Sequence, residues 1–147
     1  MAHFTPSGTG VALVTPFQNG LVDYDGLSAL IEHVITGGVE FVVSLGTTGE
    51  ATSLSDAEQA KVVQHTIDIV AGRVPIVAGQ FGGNNTAQVC EKLRAFDPKG
   101  IAAILSSSPA YVKPSQEGIY QHYMALAEAS PLPIIIYNVP SRTSSNI

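Results

Sequence analysis

Apolar, largely β-branched residues recur in five short runs, beginning near Val11 (VALV), Phe41 (FVVSL), Val74 (VPIVAG), Ile101 (IAAIL) and Ile134 (IIIY), at spacings of 27 to 33 residues. None of the runs alternates polar with apolar, the pattern expected of parallel strands buried on both faces. The stretches between them change period. Leu27, Leu30, Ile31, Val34 and Ile35 fall at i, i+3, i+4, i+7 and i+8, and Gly37-Gly38 supplies the stop. Ser55-Asp56-Ala57-Glu58 has the spacing of a capping box, in which serine and glutamate satisfy each other's free backbone N–H groups. Val62, Val63, Ile67 and Val70 continue that helix, and Gly72 closes it. Asn85 or Thr86 opens a third helix through Val89, Leu93 and Phe96, and Ser115 a fourth through Ile119, Tyr123, Leu126 and Ala127. The predicted order is strand then helix, repeated, with five strands and four helices.

Such an α/β repeat suits either a doubly wound open sheet or a (β/α)8 barrel, because both use right-handed parallel crossovers. The first strand-to-helix turn, Thr15-Pro16-Phe17, lacks a glycine-rich dinucleotide fingerprint, and no GxGxxG follows any strand. Polar residues instead follow the carboxyl ends of successive strands: Thr47 and Thr48, Asn84, Ser106 to Tyr111, then Tyr137 and Asn138. Contributions from so many strands favour the mouth of a barrel. A whole barrel takes about 250 residues, so residues 1–147 are expected to form the N-terminal half of a single (β/α)8 domain.

Composition narrows the functional classes. Apolar residues make up 45% of the chain, which suits a packed globular protein. The net charge is -5, and the seven basic residues are unclustered, so the electrostatic footprint of a nucleic-acid binder is missing. No apolar run approaches the roughly 20 residues that span a bilayer, and the first ten residues carry no basic or apolar leader pattern. A soluble, cytoplasmic protein is expected. Cys90 stands alone and reads as a small core residue. His3, His33, His65 and His122 are scattered over the N-terminal tail and the helices, where surface or boundary positions are expected, and none pairs at ligand spacing with Cys, Asp or Glu. Neither a metal nor a resident cofactor is expected.

The candidate chemistry gathers at the strand ends. In Gly46-Thr47-Thr48-Gly49-Glu50 the glycines free the backbone to approach a ligand, and two hydroxyls with the loop N–H groups can hold a carboxylate or phosphate. It is not a P-loop, since no Lys-Ser/Thr follows; the plainer reading is a tight turn with a buried glutamate satisfied by backbone. Tyr137 closes the fifth strand, where its ring is expected to be buried and its hydroxyl to face the mouth, able to shuttle protons with neighbouring hydroxyls or else to serve a structural partner. Tyr111 reads equally as a surface aromatic or an interface plug. Arg142 can grip a carboxylate in bidentate fashion or be merely solvated. Lys61, Lys92, Lys99 and Lys113 lie on helices or in loops, none in a buried strand where desolvation would lower its pKa for Schiff-base chemistry.

Taken together, GTTGE at 46–50, PAYVKPSQEG at 109–118 and YNVPSRT at 137–143 resemble the dihydrodipicolinate synthase family, within the N-acetylneuraminate lyase superfamily of pyruvate-dependent class I aldolases. The similarity runs along almost the whole chain and keeps the order and spacing of the motifs. It implies a (β/α)8 barrel about twice this length that condenses pyruvate with aspartate semialdehyde on the way to diaminopimelate and lysine. It also implies a Schiff-base lysine on the sixth strand, served by protons from Tyr137, Thr47 and, from a neighbouring subunit, Tyr111. Thr48 and its backbone would hold the pyruvate carboxylate, and Arg142 the carboxylate of the semialdehyde. A homo-oligomer, a dimer of dimers, is implied with them.

The chain departs from the family pattern in two ways. Ala110 stands where the family often has the first of two tyrosines that stack at the dimer interface, and Gln59 and Gln88 occupy positions where lysine-inhibited members place histidine and glutamate; insensitivity to lysine is the expectation. The sixth strand has not begun by Ile147, so the Schiff-base lysine is expected to lie outside this sequence and the chain alone to be inactive, persisting by association. The alternatives are another pyruvate aldolase of the superfamily, such as a sialic acid or keto-sugar-acid lyase, and a half-barrel that binds without catalysing.

Overall fold

A computed structural model describes residues 4–147. His3, one of the four histidines, lies outside the described residues. The chain falls into two compact units, the first running to Gln80 and including Gly100–Ala102, the second holding Phe81–Lys99 and Ala103–Ile147.

In the first unit the elements are β1 (Gly10–Ala12), β2 (Phe17–Gln18), β3 (Leu21–Val22), α1 (Tyr24–Thr36), β4 (Phe41–Ser44), α2 (Asp56–Val70) and β5 (Ile76–Ala78). Strand β4 lies between β1 and β5, parallel to both, with Val42 opposite Val11 on one side and Ile76 on the other. The central apolar pattern holds where it was expected, since all three residues of β5 are buried. It fails at β1, where Gly10 and Ala12 are exposed, because within this unit β1 pairs only with β4. Helix α1 buries Leu27 and Ile31, and α2 buries Val62, Val63, Thr66 and Val70. Each fully buried aliphatic side chain contributes about 1.5–3 kcal/mol relative to exposure. The helices are joined by His65, whose Nε2 lies 2.8 Å from Ser28 Oγ and 3.0 Å from the Tyr24 carbonyl.

Local signals start and stop these helices. The Ser55–Glu58 capping box forms as predicted. Helix α2 ends one residue before the expected glycine, at Ala71, which takes φ +48 and donates its N–H to the Ile67 carbonyl. The antiparallel pair β2–β3 was not anticipated. Its signal was present: Asn19-Gly20 bridges the strands with φ +54 and +78, the left-handed pair that a two-residue type I′ hairpin turn requires.

The second unit contains α3 (Thr86–Ala95), β6 (Ala103–Ser107), α4 (Gln116–Ala129), β7 (Ile134–Tyr137) and a one-turn helix α5 (Pro140–Thr143). Strands β6 and β7 are parallel, with Ser107 in register with Tyr137. Asn85 caps α3 and Ser115 caps α4, each through its side-chain oxygen. Expected core positions Val89, Leu93, Ile119, Tyr123 and Leu126 are buried, as is Cys90. Ala127 is exposed, and His122 and Ala129 take the buried stripe instead. Ile136 is half exposed, against the expectation of a strand covered on both faces. The short α5 was read as loop, since four residues are too few to display a helical period.

Candidate functional site

The turn after β4 is held from several sides. Leu45 and Glu50, at its two ends, adopt φ +56 and +53, a region that costs an L-residue about 1–2 kcal/mol. Between them Thr47–Gly49 forms a single 3-10 turn, closed by Gly49 N–H to the Gly46 carbonyl at 2.9 Å and Glu50 N–H to the Thr47 carbonyl at 3.2 Å. Gly79 presses on the turn so closely that a Cβ there would lie 2.6 Å from the Gly46 nitrogen. On the other flank the buried Thr15 hydroxyl donates to the Gly49 carbonyl at 2.7 Å. Thr47 and Thr48 are exposed, and their hydroxyls make no hydrogen bond among the described residues. Glu50 is exposed, so the tight turn of the plainer reading forms but its expected buried glutamate does not. Gln59 donates to the carbonyls of Ala51 and Leu54, at 2.8 and 3.2 Å, and so fastens the segment that follows.

In the second unit, Ser106 is fully buried and donates to the Phe81 carbonyl at 2.8 Å, while the Tyr123 hydroxyl donates to the Ser106 carbonyl at 3.1 Å. Burial pushes the Tyr123 phenol up to about 12, so it is a structural donor at any ordinary pH. Beyond β6 the Asn84 side chain accepts from Ala110 N–H at 2.8 Å. The next residue, Tyr111, has φ +71 and is spanned by a bond from Val112 N–H to the Ala110 carbonyl at 2.9 Å, the mark of the rarer, strained γ-turn. The residue is 89% exposed. Its N–H donates to the Thr143 carbonyl at 3.2 Å, which brings the Tyr111 loop to the helix that carries Arg142.

Tyr137 is only partly buried, a departure from the expected buried ring, because β7 pairs with β6 alone in this unit. After it, Asn138 donates to Asn146 Oδ1 at 2.8 Å and accepts from Ile147 N–H at 3.3 Å, and buried Thr143 donates to the Val139 and Ser145 carbonyls at 3.2 and 3.0 Å. Arg142 extends from α5 into solvent with no ion pair or hydrogen bond from its guanidinium among the described residues. The structure therefore seats Thr47 with Thr48 on one turn and joins the Tyr111 loop to the Arg142 helix.

One residue departs sharply from its predicted surface position. His122 is 3% exposed, its Nδ1 lies 2.8 Å from Thr86 Oγ1, and its Nε2 is buried without a partner. Burial holds its pKa below the usual imidazole value. Sequence reading also passed over Thr15, noted only as part of a turn without glycine. No group of three His, Cys, Asp or Glu able to hold a metal occurs among the described residues, and no described helix is long and apolar enough to cross a membrane.

The family model described as "Dihydrodipicolinate synthetase family" matches residues 5–147. The chain belongs to the dihydrodipicolinate synthetase family. It is 52% identical over 141 residues to a 4-hydroxy-tetrahydrodipicolinate synthase of Flavobacterium psychrophilum, an alignment covering 95% of this chain and 48% of that protein. Among solved structures it is similar to the chloride-inhibited dihydrodipicolinate synthase of Acinetobacter baumannii complexed with pyruvate, at TM-score 0.90 and 45% identity, covering 97% of this chain and 49% of the other. It is likewise similar to a monomeric dihydrodipicolinate synthase variant, at TM-score 0.89 and 39% identity over 95% of this chain and 46% of the other. The fold is that of the N-terminal half of the family's (β/α)8 barrel, and the chain spans about half the length of the curated relatives it matches.

Proposed function

We propose that this chain supplies the N-terminal half of the active site of a lyase that condenses pyruvate with L-aspartate 4-semialdehyde to 4-hydroxy-tetrahydrodipicolinate, in lysine and diaminopimelate biosynthesis. The observation that carries the reading is the Thr47–Thr48 turn, two free, exposed hydroxyls on an over-determined backbone, in a family whose Acinetobacter baumannii member has been solved with pyruvate. The enzyme works in the cytoplasm without a resident metal or cofactor.

In this reading pyruvate forms a Schiff base with a lysine supplied from outside the 147 residues. Carbinolamine formation moves a proton from the lysine nitrogen to the pyruvate C2 oxygen, dehydration needs a second proton there as that oxygen leaves as water, and enamine formation returns one from C3. Tyr137 and Thr47 perform these transfers as a hydroxyl relay, joined by Tyr111 of a neighbouring subunit; hydroxyls suffice because each proton is returned within the cycle. Thr48 and the turn N–H groups bind the pyruvate carboxylate, which a pinned backbone can do without reorganising. Arg142 binds the carboxylate of the semialdehyde, its planar fork matching two oxygens. The exposure of Tyr111, at 89%, suits a residue whose work lies in a partner, so the enzyme is read as a homo-oligomer, a dimer of dimers. Gln59 spends its amide on two backbone carbonyls and cannot offer an anionic partner to an ammonium group, in keeping with insensitivity to lysine.

The test is to co-express the chain with the C-terminal half of the Flavobacterium psychrophilum relative and to follow condensation of pyruvate with aspartate semialdehyde. Activity is expected from the pair, and Tyr137→Phe and Thr47→Val are each expected to lower kcat by about 100-fold, the usual scale of a lost proton-transfer group. Unchanged kcat in both variants of an active pair would remove the relay.

A further inference from the structure

The Thr47 and Thr48 side chains have no anchors among the described residues, so the backbone of their turn sets where their hydroxyls lie. That backbone runs between two left-handed residues, Leu45 and Glu50, and relaxes wherever a restraint is missing. Gly79 supplies one restraint by contact alone. The other is chemical. The carbonyl of buried Gly49, at the end of the 3-10 turn, accepts from the hydroxyl of Thr15 at 2.7 Å, and Thr15 is only 4% exposed.

The segment bearing Thr15 is itself fixed. Leu13 N–H donates to the Val43 carbonyl at 2.9 Å, which extends the β1–β4 ladder past the last residue of β1. A Cβ on Gly49 would meet the Leu13 carbonyl at 3.1 Å and Thr15 Oγ1 at 3.6 Å, so the turn is seated directly against residues 13–15. Thr15 thus ties a rigid extension of the sheet to the carbonyl one residue beyond Thr48. Loss of the hydroxyl leaves a buried acceptor unpaired, an imbalance the turn can relieve only by moving.

We propose that Thr15 is a positioning residue for the carboxylate-binding turn, holding Thr47 and Thr48 through its hydrogen bond to Gly49. The proposal rests on the functional reading above for its link to pyruvate, but not for its structural part. Its reach is therefore specific: Thr15 governs how well pyruvate is held, and only through the turn.

Three variants test it in the co-expressed pair. Thr15→Val keeps the volume and deletes the donor, Thr15→Ser keeps the donor, and Thr48→Ala removes the proposed carboxylate ligand. In Thr15→Val, KM for pyruvate is expected to rise about tenfold, the scale of one buried hydrogen bond, with KM for the semialdehyde unchanged and Thr15→Ser within about threefold of the parent. Amide exchange at Gly49 and Glu50 is expected to quicken by a similar factor in the valine variant of the 147-residue chain, while α2 stays protected. A rise in pyruvate KM for Thr48→Ala without one for Thr15→Val overturns the proposal. Faster exchange at Gly49 with no effect of either variant on pyruvate instead overturns the functional reading and leaves the structural role standing. Should the valine chain fail to fold, Thr15→Ser decides: a serine variant with the parent's pyruvate KM and amide protection supports the proposal, and one that loses both contradicts it.

Discussion

The turn at Leu45–Glu50 and the loop at Ala110–Lys113 both hold non-glycine residues at positive φ, and they are held in opposite ways. Leu45 is 1% exposed and its turn is clamped by Gly79 and by the Thr15 hydroxyl. Tyr111 is 89% exposed, and its backbone is tied to the rest of its unit by one bond to the Thr143 carbonyl and by Asn84 at the preceding residue. Strain inside a packed setting is over-determined by its surroundings and serves to fix a geometry. Strain at an exposed apex is only lightly restrained. The first loop is held from several sides, and the second is tied at two points.

The contrast can be broken most severely at the clamp. Gly79→Ala sets a methyl within 2.7 Å of the Gly46 backbone, where no flexible side chain can give way. Overpacking of this kind costs about 3 kcal/mol, to be read as a fall in the denaturant midpoint; a change below about 0.5 kcal/mol, the surface scale, would mean that the turn is not clamped.

A matched pair of glycine substitutions separates the two loops further. Leu45→Gly relieves strain but gives up a fully buried side chain, a net loss of about 2 kcal/mol. Tyr111→Gly relieves the same kind of strain with almost nothing to lose by burial, a net gain of about 0.5 kcal/mol after the entropy of glycine is counted. Opposite signs in urea unfolding are the expected result, and equal signs would dissolve the distinction.

How much of this was legible depends on the range of the interaction. The five strands, four long helices, and the caps at Ser55, Asn85 and Ser115 were readable because period and capping are local. The hairpin at 17–22 had its own local signal in Asn19-Gly20, overlooked because Thr15-Pro16-Phe17 was weighed only for glycines. Helix α5 was too short to have a period. The burial of His122 was misread because α4 turns its stripe toward His122 and Ala129 rather than Ala127, a rotation set by packing and not by the sequence of α4 alone. Tyr137 and Ile136 looked buried because an apolar run signals a strand without saying how many neighbours that strand has. The motif residues were legible as residues, while Thr15, which acts on a carbonyl 34 positions away, was not.

His122 brings a smaller, pH-dependent effect in the second unit. Its folded pKa lies below the ordinary 6.5 because burial opposes the charged form. The unfolded chain therefore takes up the proton first as pH falls. The stabilisation is fully present above 6.5 and is lost as pH drops through the lower folded value. His122→Gln should flatten the acid limb of a plot of stability against pH below 6.5. An unchanged limb would place the acid sensitivity elsewhere.

The proposed function divides the labour, assigning hydroxyl relay and carboxylate turn to this chain and the nucleophile to the C-terminal half. The most direct measurement is borohydride reduction in the presence of pyruvate, followed by peptide mass mapping, on the 147-residue chain alone and on the co-expressed pair. No adduct is expected on the chain alone and, in the pair, one adduct confined to a lysine of the C-terminal partner. An adduct on Lys61, Lys92, Lys99 or Lys113 would contradict that division.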